Sequence, residues 1–136
     1  METLRSPNAT IRVEVAPGEL LDKWTILKIK SERIRAEGKL RNVLAEFDVV
    51  DDTRRRAINA TPGLDELIQE LKGINEQLWD IENAIRACES RQDFGAEFIA
   101  LARSVYQTND RRSLVKRQIN DLLGSAFKEE KDYHRP

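Results

Sequence analysis

The second half of the chain is dominated by apolar residues that recur at alternating spacings of three and four. The first series consists of Leu64, Leu67, Leu71, Ile74, Leu78, Ile81, Ile85 and Cys88. The second series consists of Phe98, Leu101, Val105, Thr108, Arg112, Val115, Ile119 and Leu122. A repeat of about 3.5 residues is typical of helices that pack knobs into holes. The pattern therefore predicts two long helices, over 64–90 and 95–123.

The second of these helices contains a polar interruption. Thr108 and Arg112 occupy two consecutive positions of the repeat. The register survives across them, which favours one continuous helix. The alternative is a break at Thr108-Asn109-Asp110, because side chains of these types cap the start of a new helix.

The N-terminal part of the chain predicts a strand followed by a helix. Residues 10–15 alternate polar and apolar side chains, with β-branched residues at every second position. This segment predicts a short strand or an extended arm, which needs a partner to pair with. Pro17 suits the first position of a helix, and the apolar stripe after it predicts a helix over 17–36.

A further helix is predicted between this one and the long pair. The apolar spacing slips near Gly38 and then resumes, which predicts a helix over 39–58. The sequence Thr61-Pro62-Gly63 is a turn signal that ends it. Residues 125–136 form a charged tail.

Together these elements predict an all-α protein, an antiparallel helical bundle with long coiled-coil-like hairpins and a short N-terminal β-strand or arm. At 136 residues, one domain over 1–136 is expected. The helix over 17–36 has an apolar surface that is wide for one neighbour, and the strand over 10–15 has no mate elsewhere in the chain. Both features predict self-association, with a homodimer as the expected state.

Composition narrows the classes of partner and compartment. The net charge of −1 argues against a general nucleic-acid or membrane-surface binder. No apolar run approaches the length of a membrane span, and Met1–Thr10 lacks the apolar region of a secretory signal. Cys88 is the single cysteine, which excludes an internal disulfide. A cytoplasmic protein is expected.

The small net charge conceals two oppositely charged segments. Seven basic and two acidic residues lie over 23–41, whereas seven acidic and two basic residues lie over 64–90. One interpretation is a basic patch for phosphate, nucleic acid or acidic sugars. The favoured interpretation is that the two segments are neighbours whose charges set pairing and direction.

The residues required for common catalytic and metal sites are scarce. His134 is the single histidine and lies three residues from the end, so a Ser–His or Cys–His nucleophile is not expected. The pairs Glu19-x-x-Asp22 and Glu129-x-x-Asp132 fit a helical magnesium motif loosely but lie at opposite ends of the chain. Arg112 is the one basic residue in the core register. A mutase resembling chorismate mutase would need several. No catalytic residue, metal or cofactor is predicted.

Polar side chains nevertheless form stripes beside the apolar repeat. One stripe consists of Tyr106, Asn109, Ser113, Lys116 and Asn120, and the other of Asn75, Trp79, Glu82 and Arg86. The functional hypothesis is a polar groove for a small ligand or a partner peptide. Its candidate residues are Lys23, Lys30, Trp79, Tyr106, Asn109, Lys116 and Asn120. The alternative is a hydrogen-bonded network between helices with a half-buried tryptophan.

Three segments carry a resemblance to a known family. They are PGELLDKWTILKIK from Pro17, NEQLWDIE from Asn75, and ARSVYQTNDRR from Ala102 continuing to INDLLGS. These segments resemble a family of short bacterial proteins classed as a domain of unknown function, and the likeness runs from Ile11 to Tyr133. The resemblance implies a loose association with glycosyltransferase and surface-polysaccharide genes. It supplies no activity and no site residue.

Two functions are therefore expected from the sequence. The leading one is a non-catalytic, self-associating interaction or scaffold protein with a possible protein partner, linked through the resemblance to surface-polysaccharide synthesis. The alternative is a ligand-binding protein or small enzyme that acts on a phosphorylated or sugar substrate through the polar groove.

Overall fold

The regular structure of the protein consists of α-helices. The computed structural model describes residues 9–136, and no strand occurs within that range. The helices are α1 (Pro17–Arg33), α2 (Glu37–Ala57), α3 (Leu64–Ser90) and α4 (Ala96–Leu123). The predicted all-α class is confirmed.

The predicted N-terminal strand is not formed. Residues 10–15 have no regular secondary structure, and the side chains of Ile11 and Val13 are 89% and 77% exposed. A strand needs a neighbouring strand to satisfy its backbone groups, and the described part of this chain supplies none. The alternating pattern is present in the sequence, but within the single chain these residues do not form a strand.

The break between the first two helices lies earlier than predicted. α1 ends at Arg33 rather than at 36, and α2 begins at Glu37 rather than at 39. The chain is extended at Ile34 and at Ala36, with ψ angles of 129° and 120°. Gly38, which marked the predicted break, lies inside the first turn of α2. The extended backbone on either side of residue 35 therefore separates the two helices, and Gly38 is not the cause of the break.

The two long helices cover nearly the residues that the 3.5-residue repeat indicates. Gly63 precedes α3 with φ 88°, and Gly124 follows α4 with φ 68°. Both angles lie in the left-handed region, which glycine adopts without steric cost. α4 is continuous through Thr108, whose side chain is buried. The alternative break at Thr108-Asn109-Asp110 does not occur.

α1 occupies the centre of the arrangement. It packs against each of the other three helices, α3 packs against α4, and α2 packs against α1 alone. The hydrophobic core joins one residue of α1 to residues of α3 and α4, namely Leu21, Leu64, Ile68, Leu71, Ile74, Val115 and Ile119. Beyond this core, among residues 79–107, only Cys88 is buried.

This central position removes one argument for a dimer. The wide apolar face of α1 is contacted from three sides within the chain, so it does not require a second copy. The exposed apolar side chains of Ile11 and Val13 remain as the other reason to expect a dimer. No helix in residues 9–136 is long and apolar enough to cross a membrane.

The opposite charges of the first and third helices meet in part. Arg33 contacts Asp80 at 2.7 Å and Glu76 at 3.9 Å, and Lys72 contacts Glu32 at 3.0 Å. Lys23 instead pairs with Glu46 of α2 at 2.9 Å. The charge pattern thus reflects helix pairing at the C-terminal end of α1, whereas its N-terminal end makes other contacts.

Candidate functional site

A buried carboxylate on α1 is bound by an arginine of α4. Asp22 is only 2% exposed. Arg112 donates from Nε to Asp22 Oδ1 at 3.0 Å and from Nη2 to Asp22 Oδ2. A two-point pair of this kind is among the strong hydrogen bonds of proteins. The hydrogen bond to Asp22 raises the pKa of Arg112, so the guanidinium stays charged.

α3 joins this pair through an asparagine. Asn75 Nδ2 donates to Asp22 Oδ1 and to Thr25 Oγ1, both at 2.9 Å, and Thr25 Oγ1 donates to the carbonyl oxygen of Asp22 at 2.8 Å. A carboxylate can only accept, which fixes the orientation of the Asn75 amide. We call Asp22, Thr25, Asn75 and Arg112 the polar network. It ties three helices together at one level.

A buried lysine lies one turn further along α4. Lys116 is 5% exposed, and its Nζ contacts Glu19 at 3.0 Å and Glu129 at 3.1 Å. Burial alone lowers the pKa of Lys116, but the hydrogen bonds with the two glutamates outweigh it and raise the pKa above its ordinary value. Through Glu129, the charged tail is attached to the bundle.

The start of α1 lies against the end of α4 at very short range. The Gly18 N–H donates to Asn120 Oδ1 at 2.7 Å. A Cβ atom on residue 18 would lie 2.6 Å from the Lys116 carbonyl oxygen and 2.8 Å from Asn120 Oδ1. Only glycine permits this approach. From Gly18 to Asp22 the partner on α4 moves from Asn120 back to Arg112, so the two helices run in opposite directions.

The enclosed polar groups of this region are all satisfied. Within residues 9–136, no fully enclosed side-chain nitrogen or oxygen lacks a hydrogen-bond partner. Buried polar groups are costly when unpaired, and complete pairing makes their geometry specific. The arrangement is therefore a rigid platform that holds Arg112 and Asn75 in fixed orientations.

The polar network opens onto a cavity of about 200 Å³. We call it the Trp79 cavity. Its walls come from α1, α3 and α4 and consist of Ile26, Ile29, Asn75, Leu78, Trp79, Glu82 and Arg112. Glu82 lies at the exposed side, where it pairs with Arg86 at 3.0 Å. The cavity thus combines apolar walls and an indole ring with two members of the polar network.

A larger depression, about 500 Å³, lies where α2 leads into α3. We call it the α2–α3 groove. Its apolar lining is Leu21, Ile58, Leu64 and Ile68, and its charged lining is Arg54, Arg55 and Asp65. This groove lies against the hydrophobic core, and a pair of arginines lies beside it.

The arginines of the groove share one carboxylate. Asp51 contacts Arg54 at 3.3 Å and Arg55 at 3.2 Å, and it accepts a hydrogen bond from Trp24 Nε1 at 2.9 Å. The Trp24 bond and the two arginines hold the pKa of Asp51 below its ordinary value, despite partial burial. Two cations against one anion leave this edge of the groove positive.

The structure divides the seven predicted site residues. Trp79 lines the cavity, and Asn109 Oδ1 lies 3.5 Å from Arg112 Nη1 beside it. Lys116 and Asn120 bind the start of α1, as described above. The remaining three lie apart from the cavity walls, and they are Lys23, Lys30 and Tyr106. The predicted single groove is therefore not one site, and whether any of these residues binds a ligand stays a prediction.

Sequence reasoning missed the α1 side of the site. Asp22, Thr25 and Gly18 were not among the predicted residues, although Asp22 and Thr25 lie three apart on one helical face with Ile29. An acidic residue on an otherwise apolar face was the available signal. The pair Glu19 and Asp22, which fits a helical magnesium motif only loosely, forms ion pairs instead: Asp22 binds Arg112 and Glu19 binds Lys116. No group of three candidate metal ligands occurs within residues 9–136.

Comparison with known proteins assigns a family. The profile of DUF6165, a family of unknown function, matches residues 11–136, and the chain belongs to that family. No curated protein and no solved structure matches the chain. The family assignment agrees with the resemblance seen in the sequence.

Proposed function

We propose that the protein is a non-catalytic, self-associating interaction protein, an antiparallel helical bundle in which the arm over 10–15 of one copy binds the α2–α3 groove of another. The observation that carries the proposal is the exposure of the arm. Ile11, Val13 and Val15 are 89%, 77% and 47% exposed. Large apolar side chains exposed to water in one short segment indicate an interaction site.

The α2–α3 groove has an apolar lining that suits the apolar side chains of the arm. Its apolar lining belongs to the hydrophobic core, with Leu21, Leu64 and Ile68 almost fully buried, and its volume accommodates branched apolar side chains. An extended segment places every second side chain on one face. The three apolar residues of the arm can therefore enter such a groove together.

The charges of the two surfaces are complementary. The arm carries Arg12 and Glu14 between its apolar residues. The groove presents Arg54 and Arg55, which share a single carboxylate, and Asp65. Glu14 therefore has a positive edge to face. Complementary charges of this kind fix register and orientation more than they add affinity.

Light scattering coupled to size exclusion tests the proposal. We expect a dimer at micromolar concentration and a shift to monomer for Val13→Asp, with an unchanged helical content. Ile99→Asp is the matched control, because Ile99 is 55% exposed at the far end of α4 and should leave the dimer intact. A monomeric wild-type protein at several hundred micromolar would overturn the proposal, as would a dimeric Val13→Asp variant.

A charge exchange sharpens the same experiment. Arg55→Glu should weaken the dimer, and Glu14→Arg in the same chain should restore it.

The proposal also includes a protein partner. The family resemblance suggests that this partner is an enzyme of surface-polysaccharide synthesis. The alternative function, binding of a small ligand, is favoured by a different feature, the Trp79 cavity.

A further inference from the structure

We infer that the Trp79 cavity binds a small planar molecule whose edge presents an N–H group beside a carbonyl oxygen, that is, a cyclic amide of one ring. This inference is independent of self-association through the arm. The cavity is an open depression of about 200 Å³, and an enclosed cavity of about 150 Å³ holds benzene. Its size therefore suits a single ring with small substituents.

An unpaired acceptor is built into the wall of the cavity. Asn75 is 6% exposed, and both hydrogens of its Nδ2 are bound by Asp22 and Thr25. Its Oδ1 accepts no hydrogen bond from residues 9–136, yet no fully enclosed side-chain oxygen there lacks a partner. The oxygen is therefore not fully enclosed, and Asn75 lines the Trp79 cavity. A ligand N–H would satisfy it.

A donor group lies beside Asn75, because Asn75 Nδ2 and Arg112 Nε both bind Asp22 Oδ1. Arg112 uses Nε and Nη2 to hold Asp22, whereas its Nη1 makes only one long contact of 3.5 Å with Asn109. A guanidinium has five N–H groups in a fixed plane, so donors remain for a ligand. Asp22 already neutralises the charge of Arg112. The site therefore favours a neutral carbonyl oxygen over an anionic group.

The remaining walls suit a planar ring. Ile26, Ile29 and Leu78 are apolar, and Trp79 contributes an indole ring. The guanidinium of Arg33 lies 5.8 Å from the centre of that ring, which helps to hold it in place. An acceptor on Asn75 and a donor on Arg112, together with the apolar side chains and the indole ring, match the edge and the faces of a cyclic amide.

Titration with uracil, followed by ¹H–¹⁵N NMR spectra, tests this inference. Uracil carries an N–H beside a C=O, 1,3-dimethyluracil has the same ring without an N–H, and toluene has neither group. We expect saturable shifts of the Trp79 indole and Asn75 amide signals with uracil, and at least tenfold weaker binding of the other two. Absence of saturation by uracil, or equal binding of all three, would overturn the inference.

A cavity-filling variant locates the effect. Ile26→Phe should abolish the uracil response, because the larger side chain occupies the cavity. Ile99→Phe, at an exposed position on the distal part of α4, is the matched control and should bind as the wild type does. A persistent uracil response in a folded Ile26→Phe protein would contradict the assignment. If that variant does not fold, the selectivity among the three probes decides alone.

Discussion

The two ends of α1 use charge in opposite ways. Near its start, Asp22 is 2% exposed and binds Arg112 at two points within a network that spans three helices. At its end, Arg33 reaches Asp80 at 2.7 Å, but the Asp80 side chain is 70% exposed. In the first contact the carboxylate is buried and both of its oxygens accept hydrogen bonds, whereas the second contact lies in water.

This difference decides what each contact contributes. An exposed ion pair contributes about 0–1 kcal/mol because water and salt compete for both partners. A buried pair is expensive to break, since the partner left behind is a charge without water. The start of α1 is therefore where the relative positions of α1, α3 and α4 are specified, and the ion pairs at its end add little.

The largest expected effect comes from removing the buried carboxylate. Asp22→Ala leaves Arg112 and the Asn75 amide without their acceptor, and breaking a buried pair costs about 3–5 kcal/mol. We expect the lower part of that range, because the Arg112 side chain is 29% exposed. Urea unfolding measures the loss. Asp80→Ala is the matched control and should cost less than about 1 kcal/mol.

The next effect comes from the close approach of α1 and α4. Gly18→Ala places a Cβ 2.6 Å from a backbone oxygen, so the helices must move apart, at a cost of about 1–3 kcal/mol. Gly73→Ala is the control, because nothing lies within 4 Å of its added Cβ and the position is helical. That control should stabilise the protein by about 0.5–1 kcal/mol. Equal effects of the two variants on stability would contradict a close contact between α1 and α4 at residue 18.

A smaller effect should appear at alkaline pH. The folded-state pKa of Lys116 is raised, so its contribution is complete below the ordinary lysine pKa of about 10.4 and is lost as pH rises through the raised value. Lys116→Met, which keeps an unbranched side chain of nearly the same length but removes the charge, should flatten this alkaline part of the stability curve. Thermal melts of both proteins across that range provide the measurement. A parallel decline in wild type and variant would contradict the prediction.

The smallest effect is expected at the exposed end of α1. Arg33→Ala removes the contacts with Asp80 and Glu76 and should cost no more than about 1 kcal/mol. Most of that cost should disappear in 1 M salt, where the screening length is about 3 Å. A loss above about 2 kcal/mol that salt does not change would show that this end also carries specific structure.

The helices could be predicted from the sequence, because a regular spacing of apolar residues indicates that one face of a helix is buried along its whole length. The 3.5-residue repeat from Leu64 to Cys88 matches the extent of α3, and the continuous register favoured the unbroken α4 that is observed. The strand over 10–15 was wrong for the single chain because an alternating pattern shows only that one face is apolar. It does not supply a neighbouring strand.

The site could be predicted only in part, because its chemistry depends on residues that lie far apart in the sequence. Lys116 and Asn120 stand out as polar residues beside an apolar repeat. Gly18 and Asp22 gain their roles from side chains 102 and 90 positions away, and no local pattern predicts such pairs. Arg112 is recognisable in the sequence as a basic residue in the core register, but only the fold shows the carboxylate that it binds.

A pair of double-mutant cycles tests the central claim most directly. One cycle combines Asp22→Ala with Arg112→Ala, and the other combines Arg33→Ala with Asp80→Ala, with stability measured by urea unfolding. We expect a coupling energy for the buried pair that is at least three times that of the exposed pair and that does not change with salt. Equal coupling energies in the two cycles would contradict this claim.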